Sequence, residues 1–175
     1  DIVFMSLSDW SNERLPDRGQ TVSEVRTHDG LGDQWSTKFS YDGGDYDWKR
    51  RVDLGFAQVT AELPTISGES ARPTIIADLM QPPSTVGRLD QRRHFDHQGG
   101  LLLKVDETYD EKNGLPYRAF NTETRTSITL DGTTRHYKVA REFNGHGMPI
   151  WIREHGDEGP TDDQRTTYVE YSPNV

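Results

Sequence analysis

Three stretches of this chain carry an aromatic residue into an Asx–Gly turn. They are Phe95-Asp96-His97-Gln98-Gly99, Tyr109-Asp110-Glu111-Lys112-Asn113-Gly114 and Phe143-Asn144-Gly145-His146-Gly147. Asp and Asn accept hydrogen bonds from a turn backbone, and Gly tolerates positive φ, so each stretch predicts a hairpin. The first and third copies agree further: Arg93-His94-Phe95-Asp96 matches Arg141-Glu142-Phe143-Asn144, and Leu102 matches Ile150. A strand–turn unit that recurs predicts a scaffold built by stacking rather than around one catalytic pocket. Phe95, Tyr109 and Phe143 are expected to pack on neighbouring strands, and Gly99, Gly114 and Gly147 to take turn conformations.

Between the turns the dominant period is two. Trp35, Thr37, Phe39 and Tyr41 alternate with Gln34, Ser36, Lys38 and Ser40, and such alternation places the two sets on opposite faces of a strand. Leu101, Leu103, Val105 and Tyr109 repeat the pattern against Lys104, Asp106 and Thr108. Further strands are expected over 46–53, 56–63, 74–81, 88–95, 117–130, 134–143, 149–155 and 166–171, with turns at Asp42-Gly43-Gly44-Asp45 and Asp131-Gly132. No segment has a helical stripe. The reading is all-β: an antiparallel meander of about ten strands, with an N-terminal strand and polar loop over 1–20 and a β domain over 21–175.

Composition narrows the architecture. Of 175 residues, 31% are hydrophobic, against about 45–50% in a typical globular chain. That predicts a thin, curved sheet with two partly polar faces rather than a sandwich around a thick core. The net charge of −9 argues against a general nucleic-acid binder, which needs a basic surface. Lys49-Arg50-Arg51 and Arg92-Arg93 are short and read as solvated strand faces. There is no cysteine, so neither disulfides nor thiol chemistry contribute, and no apolar run reaches membrane-spanning length. A chain that begins at Asp1 is expected to be a piece of a longer product.

The stretch Tyr41-Asp42-Gly43-Gly44-Asp45-Tyr46-Asp47-Trp48-Lys49-Arg50-Arg51-Val52-Asp53-Leu54-Gly55-Phe56-Ala57-Gln58-Val59-Thr60 resembles a block in the B component of tripartite Tc toxins and related SpvB-like proteins. Asp29-Gly30-Leu31-Gly32 is similar to the Asp-x-Leu-Gly turns of YD-repeat proteins. The runs Arg141–Pro149, Arg153–Asp157 and Asp163–Tyr171 resemble Rhs YD-repeat units. The resemblance extends from about Thr21 to Val175. It implies a scaffold: in that family YD-repeat strands wind into a β-sheet shell around an unfolded or inactive toxin segment. The implied partners are the remaining repeats of the same polypeptide, the toxin cargo and other toxin-complex subunits, and the implied location is secreted or cell-surface associated. The consensus Tyr-Asp is replaced by Phe95-Asp96 and Phe143-Asn144, and the Asp-Pro of the family's self-cleaving core does not occur.

No catalytic residue, metal or cofactor is assigned. His94 and His97 lie on opposite sides of a strand and read as turn chemistry rather than metal ligands. Asp42, Asp45 and Asp47, like Asp157, Glu158, Asp162 and Asp163, read as solvated turns rather than Ca²⁺ loops. Asp106, Glu107, Glu123 and Glu170 could supply a glycosidase pair, but any β chain with 29 acids offers such pairs. The alternative to a shell segment is a stand-alone carbohydrate- or surface-binding module. It predicts an exposed cluster of two or more of Trp35, Trp48 and Trp151.

Overall fold

A computed structural model describes residues 2–6, 20–112, 114–157 and 164–171. The strands are β1 (Ile2–Ser6), β2 (Gln20–His28), β3 (Gln34–Asp42), β4 (Asp45–Asp47), β5 (Val52–Gly55), β6 (Gln58–Glu62) and β7 (Thr74–Leu79). They continue with β8 (Leu89–Phe95), β9 (Leu101–Lys112), β10 (Arg118–Leu130), β11 (Thr133–Phe143), β12 (Pro149–His155) and β13 (Arg165–Tyr168). Eleven of them form one open sheet in the order β1-β2-β3-β6-β7-β8-β9-β10-β11-β12-β13. Each strand pairs antiparallel with the next along this order, so the all-β meander is the observed fold. At about 4.8 Å per strand, its ten steps span roughly 48 Å along the sheet.

One excursion interrupts the order. Between β3 and β6 the chain makes a separate two-stranded hairpin, β4–β5. A single strand over 46–53 was expected here. Instead Asp47 ends β4 by capping a turn: its Oδ1 accepts from Lys49 N and Arg50 N at 3.0 Å each, and Arg51 N donates to its carbonyl at 2.7 Å. The basic triplet is therefore a hairpin tip and not a strand face.

Directly paired residues share a face of a sheet, so the register sorts the side chains. One row runs Tyr41, Val59, Ala77, Arg92, Val105, Thr126, Tyr137, and the next runs Phe39, Ala61, Ile75, His94, Leu103, Ile128, Arg135. A row on the opposite face runs Asp42, Gln58, Asp78, Gln91, Asp106, Arg125, Lys138, His155. One face is thus mainly apolar and the other almost wholly polar. Two partly polar faces were expected; the low overall hydrophobicity arises instead because one face alone carries most of the apolar residues. On the described residues the sheet is one layer thick, and the only hydrophobic side chains that reach full burial are Val105 and Ala119, each 7% exposed.

The polar face is held by its own ladder. Gln58 Nε2 donates to Asp78 at 2.7 Å, Arg93 pairs with Asp78 at 2.6 Å, Gln91 Nε2 donates to Asp106 at 2.7 Å, and Lys138 pairs with Glu123 at 2.8 Å. Such partly exposed pairs contribute little each, about 0.2–1 kcal/mol, but they match donor to carboxylate strand by strand and so pin the register.

Candidate functional site

The residues singled out by the repeat fall into two kinds of structure. Asp96 and Asn144 build the same turn. Asp96 Oδ1 accepts from Gln98 N at 2.8 Å and Gly100 N at 2.7 Å, while Asp96 N donates to Gly100 O and Gly99 N to Asp96 O. Asn144 Oδ1 accepts from His146 N at 2.9 Å and Met148 N at 3.0 Å, with the equivalent bonds from Asn144 N to Met148 O and Gly147 N to Asn144 O. Gly99 and Gly147 take φ of 84° and 80°, the left-handed region that a Cβ disfavours. Both hairpins also carry a bulge at the same place, between His94 and Phe95 and between Glu142 and Phe143.

The third copy of this turn is not the one expected. It lies at Asp29, whose Oδ1 accepts from Leu31 N, Gly32 N and Asp33 N at 2.7, 3.1 and 3.1 Å. Asp29 N donates to Asp33 O, and Gly32 has φ 119°. These backbone donors, Leu31 first, hold the Asp29 carboxyl below its ordinary value, as those of Gly100 and Gln98 do for Asp96. The pattern common to all three is Asx-x-x-Gly, visible in the sequence without any preceding aromatic.

Tyr109 and Asp110 are not turn residues. β9 continues to Lys112, and Asp110 pairs with Phe120 inside the β9–β10 ladder. Of the described residues of that stretch, only Gly114 lies in the connection between the two strands. Tyr109 instead reaches sideways: its hydroxyl donates to Leu89 O at 3.0 Å. Tyr41 does the same to Val22 O at 2.9 Å and Tyr171 to Pro149 O at 3.0 Å. Each ties the far end of one strand, or the residues just after it, to the start of the preceding strand. Burial raises the phenol of Tyr41 and of Tyr109 above its usual range. The signal missed was the dipeptide Tyr-Asp at 41–42 and 109–110, which falls twelve and thirteen residues after the turn residues Asp29 and Asp96.

Phe143 stacks on Phe120 at 5.1 Å with the rings 22° apart. The register beside this stack skips Ile150 on β12, where Glu142 faces Trp151 and Phe143 faces Pro149, the mark of a bulge. Arg118 lies over the Phe120 ring at 5.6 Å. With Asp110, Arg141 and Glu142, these groups line a hollow of about 340 Å³. Phe120 is flanked there by Phe143 and by Arg118, so it is not an open stacking platform.

Three of the four acids considered for hydrolysis are engaged in separate contacts, and Glu170 lies after β13. Asp106 bonds Gln91 and Lys104 on the polar face, and Glu123 bonds Lys138 there. Glu107, on the other face, accepts from Asn121 and from Thr124 Oγ1 (2.8 Å), while Arg141 Nη1 donates to Asn121 Oδ1 and Thr124. His94 sits among apolar neighbours with a buried Nε2 that has no hydrogen-bond partner among the described residues; burial, then Arg92, pushes its pKa down. His97 lies in the turn, 3.9 Å from Glu69. Asp45 accepts from Tyr46 N, and Asp157 pairs with Arg135; Glu158, Asp162 and Asp163 lie outside the described residues. Among the described residues no three His, Asp or Glu side chains gather as a metal site, and no helix is long and apolar enough to cross a membrane.

Trp35 is on β3, Trp48 at the β4–β5 tip and Trp151 on β12. β3 and β12 are seven strand steps apart in the sheet, roughly 34 Å.

No family model matches the chain, and neither does any curated protein sequence. Solved structures do match. The crystal structure of TcdB2-TccC3 without its hypervariable C-terminal region superposes with a TM-score of 0.69 at 10% identity, over 93% of this chain and 12% of that one. The Photorhabdus luminescens Tc holotoxin pore gives 0.72 at 9% identity, over 91% of this chain and 11% of that one. TcdB2-TccC3 itself gives 0.68 at 9% identity, over 99% and 12%. The chain therefore spans about an eighth of the length of the solved chains it resembles. At such identities the likeness establishes the fold: an open antiparallel meander of the kind found within Tc toxin components.

Proposed function

We propose that this chain is a wall segment of a Tc-type β shell, a scaffold that encloses and helps deliver a toxin cargo and has no catalytic role of its own. The observation that carries the reading is the one-layer sheet with a mainly apolar face against which no second large sheet packs among the described residues. A wall needs only one layer. Its apolar face can hold a non-native cargo chain, because hydrophobic contact is non-directional and needs no matched partner. The Tc likeness of the fold supports the same reading, and so do the repeated turns, which let a sheet extend by adding hairpins. In this reading the edge strands β1 and β13 pair with further repeats of the same polypeptide, the other toxin-complex subunits are its partners, and the complex acts outside the producing cell.

The separation of Trp35 from Trp151 supports the shell over a sugar-binding module, which needs aromatic platforms side by side. The test is the size of the native product, probed in its producing cell with an antibody to this chain. A species several times larger than 20.0 kDa is expected. A species near that mass would overturn the shell reading and favour a stand-alone module.

A further inference from the structure

The β4–β5 hairpin has features the wall reading does not use. It stands outside the eleven-stranded sheet, and its tip presents Trp48, 64% exposed, and Val52, 45% exposed, on either side of Lys49, Arg50 and Arg51. Arg51 holds a φ of 58°. A non-glycine residue there is strained, and in an exposed turn Gly would relieve it. Lys49 and Arg51 make no ion pair with any described residue.

The tip is also rigidly presented. Asp47 fixes the turn through the backbone of Arg50 and Lys49 and binds the Arg50 guanidinium at 2.6 Å, which keeps the Asp47 carboxyl below its ordinary value. The Arg50 guanidinium lies 5.8 Å from the centre of the Tyr117 ring, between β9 and β10. Tyr46 packs edge-on against Trp48 at 4.9 Å. At the base, Gln81 Nε2 donates to Gly43 O and Gly55 O at 2.7 and 3.1 Å. The backbone of the tip, the Arg50 guanidinium and the Trp48 indole are thus held in place before any partner arrives, which lowers the entropy cost of binding.

We propose that the tip of the β4–β5 hairpin, Trp48 to Val52, is a docking point for an acidic, partly apolar segment of a partner protein. Two cations with no ion-pair partner among the described residues, beside an exposed indole, match alternating carboxylates and an aliphatic side chain. An anionic bilayer offers the same charge, but a chain of net charge −9 is repelled from such a surface as a whole, whereas one peptide segment meets only the local field. The proposal does not depend on the shell reading: it rests on the tip alone.

The test uses the 175-residue chain and three probes: a peptide of alternating Glu and Leu, a Lys/Leu peptide of the same length, and phosphatidylserine/phosphatidylcholine vesicles. The Glu/Leu peptide is expected to bind, with an indole fluorescence change that is absent in Trp48→Phe and an affinity that falls as salt rises. The double variant Lys49→Gln/Arg51→Gly removes both charges without new strain. It is expected to keep its melting temperature and to bind roughly tenfold more weakly. No binding of the Glu/Leu peptide at low salt, equal binding by the double variant, equal binding of the Lys/Leu peptide, or binding to vesicles alone would each overturn the proposal.

Discussion

The turns at Asp96 and Asn144 have the same hydrogen bonds, the same left-handed glycine and the same bulge before them, yet they are not equally constrained. A Cβ on Gly99 would meet nothing within 4 Å, whereas a Cβ on Gly147 would lie 2.6 Å from Phe120 Cε1 and 2.7 Å from Cζ. One glycine is needed for its φ alone. The other is needed for its φ and because a phenyl ring from β10 is packed against it. The first requirement is local and repeats with the motif; the second comes from a residue 27 positions away and cannot repeat unless that partner does.

The largest effect should therefore come from Gly147→Ala. The φ penalty is about 1–2 kcal/mol and overpacking adds about 1–3 kcal/mol, so chemical denaturation should show a loss of about 2–5 kcal/mol. A Phe120→Leu background should recover much of the overpacking part. If the two variants prove additive, the ring is not what constrains Gly147. Gly99→Ala should lose only the φ part, about 1–2 kcal/mol; equality with Gly147→Ala would erase the contrast.

Asn144→Ala removes the acceptor of two backbone N–H groups and should cost about 1–2 kcal/mol, read from the thermal midpoint. Tyr109→Phe deletes the hydroxyl that bonds Leu89 O and should cost about 1 kcal/mol, with faster amide exchange at the start of β8.

The smallest effect separates the turns by chemistry. The Asp96 carboxyl is held below its ordinary value, so its contribution is complete above the unfolded-state pKa of about 4 and is lost as pH falls through the lower folded-state pKa. Asn144 does not titrate. Amide exchange at Gly100 should therefore quicken on acidification relative to that at Met148, and Asp96→Asn should abolish the difference. His94 works in the same sense at a higher pH: its lowered pKa means that stability is full above the ordinary histidine value and declines as pH drops below it.

Much of the fold was legible because a strand's face and a turn's chemistry are local. The alternation of Trp35, Thr37, Phe39 and Tyr41 located β3 and its face, and Asp131-Gly132, with φ of 49° and 75°, closes β10 onto β11 as the dipeptide implies. The errors came where local patterns are ambiguous. Tyr109-Asp110 reads as turn chemistry, yet the long β9–β10 ladder carries the strand past it. The run 46–53 reads as a strand, yet Asp47 caps a turn in its middle. The turn at Asp29 was legible through its likeness to Asp-x-Leu-Gly turns, but not as a copy of the Asp96 and Asn144 turns, because no aromatic precedes it although the Asx-x-x-Gly spacing is the same.

By itself, the amino-acid sequence determined that this protein is a meander of antiparallel strands joined by Asx–Gly turns. Period-two patterning and turn hydrogen bonds act over a few residues, so their outcome does not await the rest of the fold. Only the tertiary structure decided which residues of different strands share a face. Each bulge shifts the alternation by one, and the Phe120–Phe143 stack, the Tyr41 and Tyr109 clamps and the charged ladder from Gln58 to Lys138 all depend on the register between strands. That register is set by pairing between residues distant in the chain, which no local pattern specifies.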